Sequence, residues 1–153
     1  MGMEIERKYL VKSQEWRDLG TPVHYAQGYL VADGERTVRV RIAGPHGYLT
    51  IKGKSKGISR KEFEYSIPLD DAVELIQLCA VPIIEKYRTR VFFEGKVWEI
   101  DEFEGENKGL IMAEIELNSE DDFFSVPPWI GEEVTGDFRY YNSQLAVFPF
   151  CRW

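Results

Sequence analysis

The stretch Glu4-Ile5-Glu6-Arg7-Lys8-Tyr9 sets Glu4, Glu6 and Lys8 at every second position, with Ile5 and Tyr9 between them. Side chains alternate across a β-strand, so this segment reads as a strand with one charged face and an apolar one. The pattern returns along the chain. Arg39 and Arg41 alternate with Val38, Val40 and Ile42, Glu62 and Glu64 with Phe63 and Tyr65, Glu99 and Asp101 with Trp98 and Ile100, and Glu114 and Glu116 with Ile115 and Leu117. A half-solvated antiparallel sheet explains any one such strand. It does not explain the set, because the charges at i and i+2 share a sign. Like charges roughly 7 Å apart on one strand repel unless an opposite charge, a metal or an anion lies between them.

Working outward, period two marks strands near residues 3–11, 23–31, 36–43, 47–54, 61–67, 86–94, 96–103 and 111–117. Asp33-Gly34, Gly44-Pro45-His46-Gly47, Glu94-Gly95 and Gly105-Glu106-Asn107 supply tight reversals, so most neighbouring strands are expected to be antiparallel. Helical spacing is confined to 13–19, 70–80, a turn near 120–125, and 140–147. Leu69, Val73, Ile76 and Ala80 form an apolar stripe in the second of these.

Eight antiparallel strands can close into a barrel with a polar interior if they enclose something polar. The expected class is therefore α+β: an eight-stranded antiparallel closed β-barrel, or tunnel, with a charged interior and a few helices packed outside. Val38, Val40, Phe63, Trp98, Ile100 and Ile115 would then face outward beneath the helices at 70–80 and 140–147. With no repeat, low-complexity tract or long linker, one domain over residues 1–153 is expected.

Composition narrows the function. No apolar run approaches the roughly 20 residues that span a bilayer, so no membrane partner and a cytoplasmic location are expected. Cys79 and Cys151 are too few for a disulfide framework or metal cluster and read as ordinary thiols. A net charge of -7 argues against nucleic acid. The charge is uneven, however: residues 36–90 hold eleven bases and six acids, and residues 91–153 hold fourteen acids and four bases. A fold can bring the basic middle against the acidic end.

These strands resemble the CYTH family of triphosphate tunnel metalloenzymes, whose hallmark Glu-x-Glu-x-Lys strand is met by Glu4, Glu6 and Lys8. Agreement continues in order through Val38-Arg39-Val40-Arg41, Thr50-Ile51-Lys52-Gly53-Lys54, Glu62-Phe63-Glu64, Lys86-Tyr87-Arg88-Thr89-Arg90 and Ala113-Glu114-Ile115-Glu116-Leu117. It also takes in Gly28-Tyr29-Leu30, Trp98-Glu99-Ile100-Asp101 and Thr135-Gly136-Asp137, and runs to about Asn142.

The resemblance implies an eight-stranded tunnel in which bases grip a triphosphate and acids hold one or two divalent cations. Lys8, Arg39, Arg41, Lys52, Lys54, Lys86 and Arg88 are the expected substrate-binding residues, the arginines as bidentate donors and the lysines as point charges. Glu4, Glu6, Glu62, Glu64, Glu114 and Glu116 offer only oxygen, as Mg2+ or Mn2+ requires. The catalytic set would be Glu4, Glu6, Lys8, Lys86, Asp101 and Glu116. Within it, Lys8 either meets phosphate or pairs with Glu6, and Asp101 either orients the water or binds metal through water, or else forms a plain internal ion pair. Parity places Lys54 toward the tunnel and leaves Arg90 near the strand's end; Lys56 and Arg60 fall on a mobile loop over residues 55–59 at the mouth. His24 and His46 read as surface residues, and Asp137, Tyr140 and Asn142 as structural residues that cap or dock the last helix.

The expected reaction is hydrolysis of the terminal phosphate of a triphosphate, with inorganic tripolyphosphate favoured because no insertion offers a pocket for a base or thiamine. Fold leaves open a class IV adenylyl cyclase, a nucleoside or thiamine triphosphatase, and a non-catalytic polyphosphate-binding module. The aromatic C-terminus packs locally or at a homodimer contact.

Overall fold

The computed structural model describes residues 2–153. All eight expected strands form: β1 (Glu4–Val11), β2 (Val23–Ala32), β3 (Arg36–Ala43), β4 (His46–Gly53), β6 (Glu62–Ile67), β7 (Ile84–Phe93), β8 (Lys96–Phe103) and β9 (Ile111–Glu116). Two short strands join them, β5 (Ser59–Arg60) and β10 (Ile130–Glu133). Ser59–Arg60 and Ile130–Glu133 are too short to carry a readable alternation. The fold is an antiparallel, sheet-rich α+β fold with few helices.

Turn chemistry sets the registers. Glu94 (φ 46°) and Gly95 (φ 84°) both adopt positive φ in a two-residue reversal that pairs Phe93 with Lys96. Gly44 (φ 57°) opens the Gly44-Pro45 turn that pairs Ala43 with His46. The strands then run in the order β10-β1-β9-β8-β7-β2-β3-β4-β6. This corrects the expectation of a continuously closed barrel, because β10 and β6 end the path without pairing each other. The gap is spanned by β5, which sets Arg60 opposite Glu4, and by the Glu62 N–H, which donates to the Gly2 carbonyl at 3.2 Å.

Helices are shorter than the periodicity suggests. α1 (Leu69–Ile76) stops before Cys79, and residues 15–18 make only a 3-10 turn. The segment 140–147 is broken at Tyr141, whose extended backbone (φ -70°, ψ 137°) separates a 3-10 turn at Phe138–Tyr140 from α2 (Asn142–Val147). The turn expected near 120–125 is confined to Glu120 and Asp121. Among the described residues no helix is long and apolar enough to cross a membrane. Cys79 is half-buried and Cys151 exposed, both as free thiols.

The packing departs from the outward helical cover. α1 lies on β3 and β4, where Ala72 is fully buried. Trp98, Ile100 and Ile115 are capped by Trp16, Phe124 and Trp129 rather than by a helix. Phe63 stays 45% exposed. α2 packs on the inner face: Leu145 and Ala146 join Ile84, Phe103, Met112 and Leu10. These four share strand parity with Lys86, Asp101, Glu114 and Lys8, so α2 fills the interior where its lining turns apolar.

Candidate active site

The charged strand faces surround one cavity of about 500 Å3, within the usual range for ligand sites. Its bases are Lys8, Arg39, Arg41, Lys52, Arg60, Lys86, Arg88 and Arg90; its acids are Glu4, Glu6, Glu62, Glu64, Glu99, Glu114 and Glu116. Antiparallel register brings the N-terminal and C-terminal charges side by side, with Glu6 opposite Glu116 and Lys8 opposite Glu114.

The basic wall is held by polar partners. Asp101, 1% exposed, accepts from Arg88 Nε on Oδ1 at 2.7 Å and from Arg88 Nη2 on Oδ2 at 2.8 Å, while Lys86 Nζ lies 2.7 Å from Oδ2. Arg41 Nε donates to Gln27 Oε1 at 2.9 Å, and the Tyr25 ring lies 5.0 Å from Arg41 and 5.1 Å from Arg88. Arg39 donates to Thr50 Oγ1 at 3.2 Å, and its buried Nε has no partner among the described residues. Burial pushes the Lys86 ammonium down to about 7 against the pull of Asp101. Burial likewise lowers Arg41 to about 10, with Arg39 and Arg88 adding repulsion. Burial opposes the ionisation of Asp101, yet Arg88 and Lys86 hold its carboxyl below the usual range.

The acidic wall divides in two. Glu4 grips Lys52 Nζ with both oxygens at 3.0 Å, and Glu114 lies 3.8 Å from Lys8 Nζ. Burial works against both anions; Lys52 still holds Glu4 low, and Lys8, Arg88 and Lys86 hold Glu114 well below the usual range. Glu6, Glu62 and Glu116 shift the other way. Burial is the largest cause for each, and neighbouring carboxylates, Glu114 and Glu4 for Glu6 and Glu4 for the other two, add repulsion. Among the described residues no three His, Cys, Asp or Glu side chains are gathered at metal-ligand spacing. The donor set nonetheless suits a hard cation: every acid offers oxygen only, and three are raised by burial and by neighbouring carboxylates, both of which a positive ion would offset.

Several expectations change. Lys54 lies outside the cavity, 67% exposed and 3.9 Å from Glu35, because β4 ends at Gly53 and the alternation stops there. Asp101 is not among the cavity-lining residues; it forms buried ion pairs with Lys86 and Arg88. Arg90 reaches the lining although 66% exposed, and Arg60 lines the cavity from β5. His24 is exposed beside Glu85 at 3.2 Å, and His46, the first residue of β4, borders the cavity.

Uncharged residues that line the cavity, as Tyr25 and Tyr29 do, or hold one of its bases, as Gln27 holds Arg41, escape a reading based on charge. Tyr25, Gln27 and Tyr29 alternate on β2 with Ala26 and Gly28, a period-two signal as regular as the charged ones. Asn142, expected as structural, accepts from Lys86 Nζ at 3.0 Å, and Tyr141 lies 4.9 Å from Lys8 Nζ.

Comparison with known proteins agrees with this geometry. The family model described as CYTH domain matches residues 2–144. An inorganic triphosphatase of Acetivibrio thermocellus is 52% identical over 98% of this chain and 97% of its own. An inorganic triphosphatase of Nitrosomonas europaea is 36% identical over 94% of this chain and 97% of its own. A crystal structure of an inorganic triphosphatase superposes with a TM-score of 0.66 at 34% identity, covering 94% of each chain.

Proposed function

The chain belongs to the CYTH domain family, and from that premise we propose that it is an inorganic triphosphatase that hydrolyses the terminal phosphate of tripolyphosphate. The observation that carries this reading is a cavity where buried Lys86, Arg88, Arg39 and Lys8 face Glu4, Glu6 and Glu114. A linear polyanion needs the first set, and a cation accompanying it needs the second.

In this reading the strands wrap the substrate as a tunnel, with β5 spanning the edge where β10 and β6 do not pair. Arg39, Arg41 and Arg88 present forked donors to phosphate oxygens, and Lys8, Lys52 and Lys86 supply point charges. Glu4, Glu6, Glu62, Glu64, Glu114 and Glu116 are the residues that would hold Mg2+ or Mn2+. When bound, such a cation supplies neutralisation of phosphate charge and lowers the pKa of nearby water. Water oxygen forms a bond to the terminal phosphorus as the bridging P–O bond breaks, giving orthophosphate and pyrophosphate. Little covalent work falls to the protein, so its part is to fix the chain in line and hold charge that grows on the leaving oxygen.

The test is a steady-state comparison of tripolyphosphate, ATP and thiamine triphosphate with Mg2+ or Mn2+, with products identified. The expected result is a preference for tripolyphosphate. A preference for either organic substrate, or formation of cyclic AMP from ATP, would overturn the reading.

A further inference from the structure

Lys86 stands where the apolar interior filled by α2 meets the charged cavity. Its ammonium is held from two sides: Asp101 Oδ2 at 2.7 Å and Asn142 Oδ1 at 3.0 Å, with the Phe103 ring centroid 5.4 Å away. The side chain lines the cavity yet is 0% exposed. An ammonium has three donors at tetrahedral spacing and no acceptor. Asn142 Oδ1 is its one hydrogen-bond acceptor among the described residues, and Asp101 Oδ2 pairs with it as a contact ion, so donor capacity is left over. Lys86 lines the cavity, where a phosphate oxygen could take that capacity.

We propose that Asn142 is a positioning residue of the triphosphate site, its amide oxygen locking the Lys86 ammonium so that the remaining N–H is aimed at a phosphate oxygen before the substrate arrives. The inference rests on the triphosphatase reading and assigns one residue within it. A neutral acceptor suits the place. Asp101 is already divided between Arg88 and Lys86, and a second carboxylate there would repel the substrate.

The lock is built by the end of the chain, not by the sheet. Extended backbone at Tyr141 interrupts the helical path, and Tyr141, Asn142 and Ser143 all reach the cavity. Asn107, 5% exposed, pins the chain beyond them: its Nδ2 donates to the Leu145 carbonyl at 3.5 Å, and its Oδ1 accepts from the Phe150 N–H at 2.8 Å. Trp153 packs edge-on against Tyr140 at 5.0 Å and Phe150 at 5.1 Å. These anchors at Leu145, Phe150 and Trp153 lie beyond the matched family segment, which ends at residue 144.

The test uses the full chain and tripolyphosphate. Asn142→Ala is expected to raise KM, and the Kd measured without divalent cation, by about tenfold, with kcat within about twofold and only a small fall in unfolding temperature that leaves the active fraction intact. A purely structural role would lower the unfolding temperature and the active fraction, reducing kcat at constant KM, and that outcome overturns the proposal. In a Lys86→Met background, Asn142→Ala should cost nothing further; equal losses in both backgrounds also overturn it. NMR gives a readout that needs neither turnover nor the Lys86 variant. At mildly acidic pH the Lys86 ammonium resonance should be observable in wild type and broadened away in Asn142→Ala, and an unchanged signal, or none in wild type, counts against the lock. A wild type that neither binds nor hydrolyses tripolyphosphate overturns the functional reading and this inference together. One that does both, with an Asn142→Ala variant of unaltered KM, overturns the inference alone.

Discussion

Asp101 gives one oxygen to Arg88 Nε and the other to Arg88 and Lys86 together, so a single buried carboxylate holds two cavity cations. Removing one partner of a buried ionic cluster leaves the rest uncompensated, which is costlier than never having built it. Asp101→Asn puts an amide donor against two cations, and roughly 3–5 kcal/mol of stability is expected to be lost. Denaturant unfolding checks this, and a variant as stable as wild type would refute the anchoring role. The sequence carries Asp101 only as a charge of correct parity; whether a charged residue lines a cavity or stands behind its neighbours depends on strand curvature, which period two does not encode. Lys54 fails for a simpler reason, since parity holds only while the strand lasts and β4 ends at Gly53. Gln27 and Asn142 are hidden because a neutral side chain gives no charge signal, although in a crowded ionic cavity a neutral acceptor is what an extra cation needs.

At the scale of elements, the strands are legible because alternation and turn residues agree, and β5 and β10 are not because two and four residues carry no period. The position of α2 is hidden for a different cause. Leu145 and Ala146 make an apolar stripe that would serve equally well outside or inside, and only the switch from Lys86 to Ile84, and from Glu114 to Met112, marks where the interior becomes apolar. α1 shows how tightly a helix can be docked by one missing side chain. A Cβ on Gly47 would lie 2.8 Å from Ala72 Cβ and 3.1 Å from the Ile67 carbonyl oxygen, and backbone cannot give way as a flexible side chain does. Gly47→Ala is therefore expected to destabilise by about 1–3 kcal/mol, lowering the unfolding temperature. Gly47 does not line the cavity, so kcat/KM per folded molecule should hold. A fall in kcat/KM without loss of stability would contradict this account of α1.

Over the whole molecule, the fold gathers like charges that a stability-driven design would separate, and the unliganded protein bears the consequence. Glu6, Glu62 and Glu116 have carboxyls raised above the ordinary 4.5, so between that value and their raised ones the folded state binds protons that the unfolded state has released. Stability then falls as pH rises through this window, because the slope follows the difference in bound protons. Glu4 and Glu114 are lowered and contribute the opposite slope, but only below 4.5. Lys86, brought down to about 7 from 10.5, makes the folded state bind fewer protons across that interval, so stability recovers as pH climbs through it. The metal-free protein is thus expected to show a shallow minimum near neutrality in unfolding temperature against pH. Mg2+ should fill that minimum, since an ion that binds only the folded state stabilises it by mass action and favours the ionised acids. Glu116→Gln removes one repelled carboxylate and should reduce the dip while abolishing turnover, separating the role of the charge in the reaction from its cost to the fold. Thermal unfolding across pH, with and without Mg2+, decides the matter: a metal-free stability that climbs steadily from 4.5 to 7 would mean that the acids of the cavity are already satisfied by its lysines and arginines, leaving no deficit for a cation to relieve.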